Sequence, residues 1–351
     1  MSTKLFEPLT LRNTTFRNRI FVSPMCQYTA ENGVPNDWHK VHLGSRAVGG
    51  AGLIVVEATG VNPAGRITAG CTGLWNAEQA EVFRSINAFI EAQGAVPGIQ
   101  LAHAGRKAST LRPWEGSGVD TKNGWEVLAP SAISFSPNYP TPRAMTELDI
   151  ENLLQDFQKS LTLAKQAGFK VVELHMAHGY LLHQFLSPLS NQRQDQYGGS
   201  LENRMRLPLR LAKQMRAEWQ GPLFVRISAT DWAEGGWDLE QSISFCRELK
   251  RIGIDLMDIS TGGMVPHAKI PVGPGYQVPF AEKIRTAVNI TTAAVGEITE
   301  APQAETILAK GQADAVFLAR ELLRDPYWPL HAARELGVDV PWPKQYERAK
   351  K

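Results

Sequence analysis

The chain has 351 residues, 43% of them apolar and 21% charged, the make-up of an ordinary globular protein. Its 37 Lys and Arg against 35 Asp and Glu leave a net charge of +2, whereas a nucleic-acid footprint needs a clustered basic face. No apolar window reaches the roughly 18 residues of a membrane span, and residues 1–11 carry no apolar signal-peptide core.

In chain order, 19–23 is a short strand ended by Pro24. Helical spacing over 38–48 stops at Gly49 and Gly50. The run 52–58 is nearly all apolar, as suits a parallel strand covered on both faces. The pattern then predicts a helix over 78–93, stopped by Gly94, and a third strand over 96–101. The segment 104–146 holds Pro113, Pro130, Pro137, Pro140 and Pro142; so long a connection is usually functional or a lid. A helix over 148–167 stops at Gly168. The fourth strand opens on β-branched Val171 and Val172 and breaks into His175, His178, Gly179 and Tyr180. Beyond it the alternation predicts helix 201–219, strand 223–228, helix 239–252, strand 256–260, helix 279–288, strand 291–296, helix 301–310, strand 315–319 and a mostly helical 324–336. The polar tail 341–351 reads as irregular.

Alternating strands and helices imply a parallel sheet with right-handed crossovers. Eight such units over this length predict an α/β fold, a single (β/α)8 TIM barrel with a long excursion after strand 3. No shift in composition separates two domains, so one domain over 1–351 is expected. Cys26, Cys71 and Cys246 lie far apart and are odd in number, which suggests no disulfide framework and fits a reducing, cytoplasmic compartment.

In a barrel the residues just after the strands share the face where chemistry sits. Here they are Pro24 to Tyr28, Ala58 and Thr59, then Gln100, His103, Arg106 and Lys107. His175, His178 and Tyr180 follow, then Arg226, Thr261 to Gly263, Gly296 and Arg320. This rim is cationic and rich in hydrogen-bonding groups, and it suits an anionic ligand better than a divalent metal. Loops after the last two strands often hold phosphate; Gly296 permits close backbone approach and Arg320 adds a bidentate contact. A capped helix and a surface arginine explain the same residues. His175 and His178 as metal ligands would need a third ligand, and none is evident. His103, Arg106 and Lys107 read equally as a solvated turn. His39 and His42, at helical spacing, read as structural. Trp114, Trp125, Phe135 and Tyr139 read as packing for the excursion, with a lid role open.

Five ordered motifs, Ser23–Tyr28, Gln100–Lys107, His175–Tyr180, Phe185–Pro188 and Arg193–Ser200, resemble the Old Yellow Enzyme family of FMN-dependent ene-reductases. Cys26 and the stretch 345–348 resemble its bacterial thermophilic-like class, and the likeness runs from about Phe6 to Arg348. The resemblance implies FMN as cofactor and NADPH, or NADH, as reductant. It implies reduction of the activated C=C bond of α,β-unsaturated carbonyl or nitro compounds by ping-pong hydride transfer through flavin N5. Ser23, Pro24, Met25 and Cys26 would line the flavin, Ala58 and Gln100 would contact its rings, and Arg226 would lie at its N1–C2 edge. Gly296, Ala319 and Arg320 would hold the phosphate. Tyr28, His175, His178 and Tyr180 would face the substrate, the imidazoles holding its carbonyl oxygen and Tyr180 supplying a proton. Arg348 would reach a neighbouring subunit's site, which implies a homodimer or homotetramer. Two positions depart from the pattern: Ala319 stands where Gly is usual, and Glu297 puts a carboxylate beside the phosphate loop. The alternatives are an aldolase or isomerase barrel for a phosphorylated substrate, without flavin, and a flavin-storing or structural barrel.

Overall fold

The computed structural model describes residues 3–116 and 118–350. Its strands are β1 (Leu9–Leu11), β2 (Thr14–Phe16), β3 (Ile20–Val22), β4 (Leu53–Gly60), β5 (Val96–Ala102), β6 (Leu128–Ala129), β7 (Arg143–Ala144), β8 (Val171–Met176), β9 (Leu223–Ser228), β10 (Leu256–Ser260), β11 (Thr292–Ala294) and β12 (Ala315–Leu318). Its helices are α1 (Asp37–Val48), α2 (Ala77–Ala92), α3 (Glu147–Gln166), α4 (Leu181–Leu186), α5 (Leu201–Glu218), α6 (Leu239–Ile252), α7 (Val278–Val288), α8 (Ala301–Ala309), α9 (Arg320–Arg324) and α10 (Trp328–Glu335). Eight parallel strands, β3, β4, β5 and β8 to β12, close into a barrel as β12 pairs with β3. The expected TIM barrel is the observed fold.

Local chemistry explains where the helices begin and end. Asn36, Asn76 and Thr146 cap α1, α2 and α3, each in a reciprocal pair with the third helical residue. Gly253 closes α6 in the left-handed region at φ 99°. Within the predicted, mostly helical 324–336 the structure has α10, Trp328–Glu335; the separate short α9 ends at Arg324, and Pro326 lies in the break between them. Patterning missed α4 and the β1–β2 hairpin, both too short to show a period. The tail forms a 3-10 helix, Lys344–Ala349, rather than irregular chain; Lys351 lies outside the described residues.

Side chains alternate across each strand, and the barrel interior stacks in layers. The lowest layer is apolar: Phe21, Leu53, Val171, Phe224, Leu256, Ala293 and Ala315. Phe16 of the hairpin plugs this end, its ring 5.0 Å from Phe21 and 6.3 Å from Phe224. Two residues further along the strands come Ser23, Glu173, Arg226 and Asp258, all buried. Two further again come His175, Ser228 and Ser260, at the rim. The opposite strand faces, such as Val172, Leu174, Met176, Val225 and Ile259, join the large outer core under the helices.

Candidate active site

The loop after β3 carries Pro24, Met25, Cys26 and Tyr28, all partly buried. Glu57 pins it, accepting from the Gln27 N–H at 2.8 Å and pairing with His39 Nε2 at 2.9 Å. His39 thus helps hold this loop through Glu57, in keeping with a structural role for that histidine. The Cys26 thiol hydrogen-bonds Cys71, and that bond, followed by burial, raises its pKa well above the ordinary range. Tyr28 adopts φ 55° and packs against Trp114 with ring centroids 6.0 Å apart. A bulge between Val56 and Ala58 in β4 breaks the register just where Ala58 meets the rim.

At the end of β8, the His175 and His178 rings meet edge to face at 5.3 Å, and the Tyr180 ring lies 4.9 Å from His175. His175 Nδ1 accepts the Ala177 N–H at 3.3 Å, so its proton sits on Nε2. His178 Nε2 and Ser260 Oγ are hydrogen-bonded at 2.7 Å. Burial, then neighbouring positive charge, lowers both imidazoles well below their usual range, so both are neutral. Burial raises Tyr180 well above the usual phenol range, so its proton stays on. His178 holds φ 57°, in the left-handed region, and strain of this kind concentrates at functional sites. A Cβ on Gly263 would meet the His178 backbone at 2.7 Å, so the loops after β8 and β10 touch backbone to backbone.

Arg106 and Lys107 are not a solvated turn. Lys107 Nζ donates to His178 O and Gly263 O, and it lies 4.2 Å from the Phe135 ring centre. Burial, then Arg106, brings its pKa down to about 7. Arg106 Nη2 donates to Met264 O at 2.6 Å. The excursion thus returns over the rim through Phe135, whose ring packs on Tyr139 at 4.9 Å. Trp125 packs beneath Arg66 instead, and Trp114 is largely exposed.

After β11 and β12 a cavity of about 160 Å³ is lined by Tyr276, Gln277, Gly296, Glu297, Ala319, Arg320 and Arg324, among others. Gly296 has φ 114°, and a Cβ there would lie 2.6 Å from Gln277 Nε2. Glu297 pairs with Arg320. Sequence reasoning missed Gln277 and Ser260, which couple the two halves of the rim. Gln277 Nε2 donates to Val295 O at 2.9 Å, and its Oε1 accepts from Thr261 Oγ1 at 2.6 Å and Ser260 Oγ at 3.3 Å. A polar chain therefore runs from His178 through Ser260 and Gln277 to the cradle.

Arg226 and Gln100 lie one layer below. Arg226 Nη2 donates to Ser23 Oγ at 2.8 Å, and its guanidinium pairs with Asp258. Gln100 Nε2 donates to Glu173 Oε1 at 2.8 Å. Neither Glu173 nor Asp258 was singled out from the sequence. Arg348 is exposed on the tail's 3-10 helix. Among the described residues, no hydrogen bond, ion pair or ring contact joins it to the rim. Nor does any group of three or more His, Cys, Asp or Glu stand ready to hold a metal ion, and no helix is long and apolar enough to cross a membrane.

The residues present fit a phosphate-bearing planar cofactor. The cradle offers a glycine where no Cβ has room, backbone N–H groups and a flexible arginine, and the barrel mouth next to it is walled by neutral donors. That is the site of a barrel enzyme with a nucleotide-type cofactor. Residues 4–338 match the NADH:flavin oxidoreductase / NADH oxidase family, and the chain belongs to that family of FMN enzymes, of which the Old Yellow Enzyme type is part. It is 51% identical over 350 residues to the NADPH dehydrogenase of Geobacillus sp. (strain WCH70), covering 99% of each chain. It is 47% identical over 350 residues to the NADPH dehydrogenase of Bacillus subtilis (strain 168), again over 99% of each. Morphinone reductase in complex with tetrahydroNAD superposes with a TM-score of 0.80 at 28% identity, covering 98% of this chain and 93% of that one.

Proposed function

We propose that this oxidoreductase is one FMN-binding domain that uses NADPH, with NADH as the alternative reductant. It reduces the activated C=C bond of α,β-unsaturated carbonyl or nitro compounds in a ping-pong cycle. The observation that carries the reading is the neutral His175–His178–Tyr180 cluster on the same rim as the phosphate cradle. When bound, FMN supplies the hydride chemistry, passing a hydride from nicotinamide to alkene at N5.

The chain does the rest. Gly296 and Ala319 offer backbone N–H groups to the phosphate, and Arg320 exchanges Glu297 for it. Ser23, Pro24, Met25, Cys26, Ala58 and Gln100 would line the ring system, and Arg226 would lie by its N1–C2 edge. His175 Nε2–H meets the substrate carbonyl oxygen. The open nitrogen of His178, Nδ1, is a second donor in the tautomer where the Ser260 hydroxyl turns from Gln277 to donate to Nε2. These donors stabilise the oxygen as it becomes enolate-like, as an oxyanion hole does. Tyr180, with its proton held firmly, delivers that proton to the α-carbon. Tyr28 bounds the substrate from the β3 loop, and Arg348 completes the site from a partner subunit in a homodimer or homotetramer. A cytoplasmic setting suits a nicotinamide-dependent reductase. The phosphorylated-substrate aldolase has less support, because Lys107, the amine nearest the rim, is tied to two carbonyl oxygens.

The purified protein is expected to turn yellow on FMN addition, bleach anaerobically with NADPH, and recover its colour with cyclohexenone. A protein that stays colourless sinks the reading. Bleaching without recovery by enones or nitroalkenes would make it a carrier.

A further inference from the structure

Glu173 and Asp258, in the charged layer beneath the rim, are not used by the chemistry above, and the layer's charges do not balance as written. Glu173, Arg226 and Asp258 project inward from three adjacent strands, with side chains 0%, 5% and 0% exposed. Two carboxylates and one guanidinium would leave a net negative charge in a dry interior, and such a charge is expensive unless paired or neutralised. The partners are unequal. Asp258 takes the guanidinium directly, whereas Glu173 Oε1 lies 3.8 Å from Arg226 Nε and is occupied by the Gln100 amide. The remaining oxygens, Glu173 Oε2 and Asp258 Oδ1, are buried and, among the described residues, take a bond from no nitrogen or hydroxyl donor. Yet the two carboxyls are close enough to hydrogen-bond each other. Two carboxylates can do this only if one of them carries a proton.

We propose that Glu173 and Asp258 share one proton, held on Glu173 Oε2 and donated to Asp258 Oδ1, and that this proton fixes the charge Arg226 presents to the flavin. The layer then sums to zero: Arg226 positive, Asp258 negative, Glu173 neutral. Both orphaned oxygens are satisfied by the single added atom. The groups acting on the pair are Arg226 from β9 and Gln100 from β5, with Ser23 from β3 holding the far side of the guanidinium. Burial first, then the Asp258 charge, raises Glu173 to about 8. Burial likewise raises Asp258, against the pull of Arg226. Above that range the proton leaves to solvent and the layer gains a negative charge under the rim. A negative charge there disfavours electron uptake by the flavin. The link to the flavin rests on the functional reading above; the shared proton does not. Glu173 and Asp258 are in this sense positioning residues, acting through Arg226.

Two measurements decide it. In flavin-free protein, infrared difference spectroscopy should show a protonated carboxylic-acid carbonyl band near neutral pH. The band should bleach on raising the pH past about 8 and be missing in Glu173→Gln, with Asp258→Asn as a second variant should the first fail to fold. Absence of that band in the wild type overturns the proposal. In FMN-loaded protein, the midpoint potential plotted against pH should bend downward once more in the wild type than in Glu173→Gln, whose amide keeps the layer neutral at every pH. Parallel profiles overturn the flavin link while leaving the proton in place. Failure to bind FMN at all would instead defeat the functional reading, with the infrared band still deciding the pair.

Discussion

The ionisation of three side chains sets what the rim can do. His175 and His178 are neutral because burial opposes their charged forms, so they donate hydrogen bonds without adding a charge that a neutral enone would not match. His178→Ala removes a donor aimed at developing oxygen charge. Enone kcat should fall by about 10²–10³-fold, and phenolic ligands should bind more weakly while the flavin stays bound. Unchanged enone turnover in stopped-flow would refute the carbonyl clamp. Tyr180→Phe keeps the ring stack on His175 and loses the proton. The enone half-reaction should slow by about 10²-fold or more, with NADPH-driven bleaching unaffected; equal losses in both half-reactions would argue for a packing role instead.

Elements matter through what they lock together. The β1–β2 hairpin contributes no rim residue, yet Phe16 is fully buried and closes the barrel floor against Phe21 and Phe224. Phe16→Ala should cost about 3–5 kcal/mol of stability, seen as a lower denaturation midpoint, while the FMN spectrum of the folded protein is unchanged. A variant as stable as the wild type would mean that the plug is dispensable. The excursion after β5 also works as an element. Lys107 bridges the loops after β8 and β10, and Phe135 covers it, so the turn that strains His178 is fixed from three sides.

At the scale of the whole molecule, pH and assembly are the levers. Glu173 has a folded-state pKa of about 8 against 4.5 in the unfolded chain. A carboxyl raised in this way favours the folded state fully below about pH 4.5, and that contribution is lost as pH rises through about 8. The wild type should therefore lose, relative to Glu173→Gln, roughly a few kcal/mol across that window. Parallel stability curves from chemical denaturation at pH 5 to 9 would contradict it. Arg348→Ala should raise the enone KM with the flavin spectrum intact if the tail crosses between subunits. A protein that light scattering finds monomeric, and that is fully active, would confine Arg348 to solvent.

Much of this was legible in the chain itself. Eight alternating apolar runs and amphipathic helices call for a parallel sheet covered on both faces, and eight such units over this length favour a closed barrel over an open sheet. The strand ends then gather His175, His178, Tyr180, Gly296 and Arg320 on one face whatever the details. Local pattern could not show which distant groups meet inside. Glu173 looks like a stray charge in an apolar strand, and Asp258 like another, until sheet closure brings both beside Arg226. Ser260 and Gln277 carry no motif, yet they join His178 to the phosphate cradle. Lys107 reads as solvated until the excursion folds back over it. Periodicity reports which face a residue occupies; only closure of the barrel determines its neighbours there, and in a dry interior the neighbours decide which groups hold their protons.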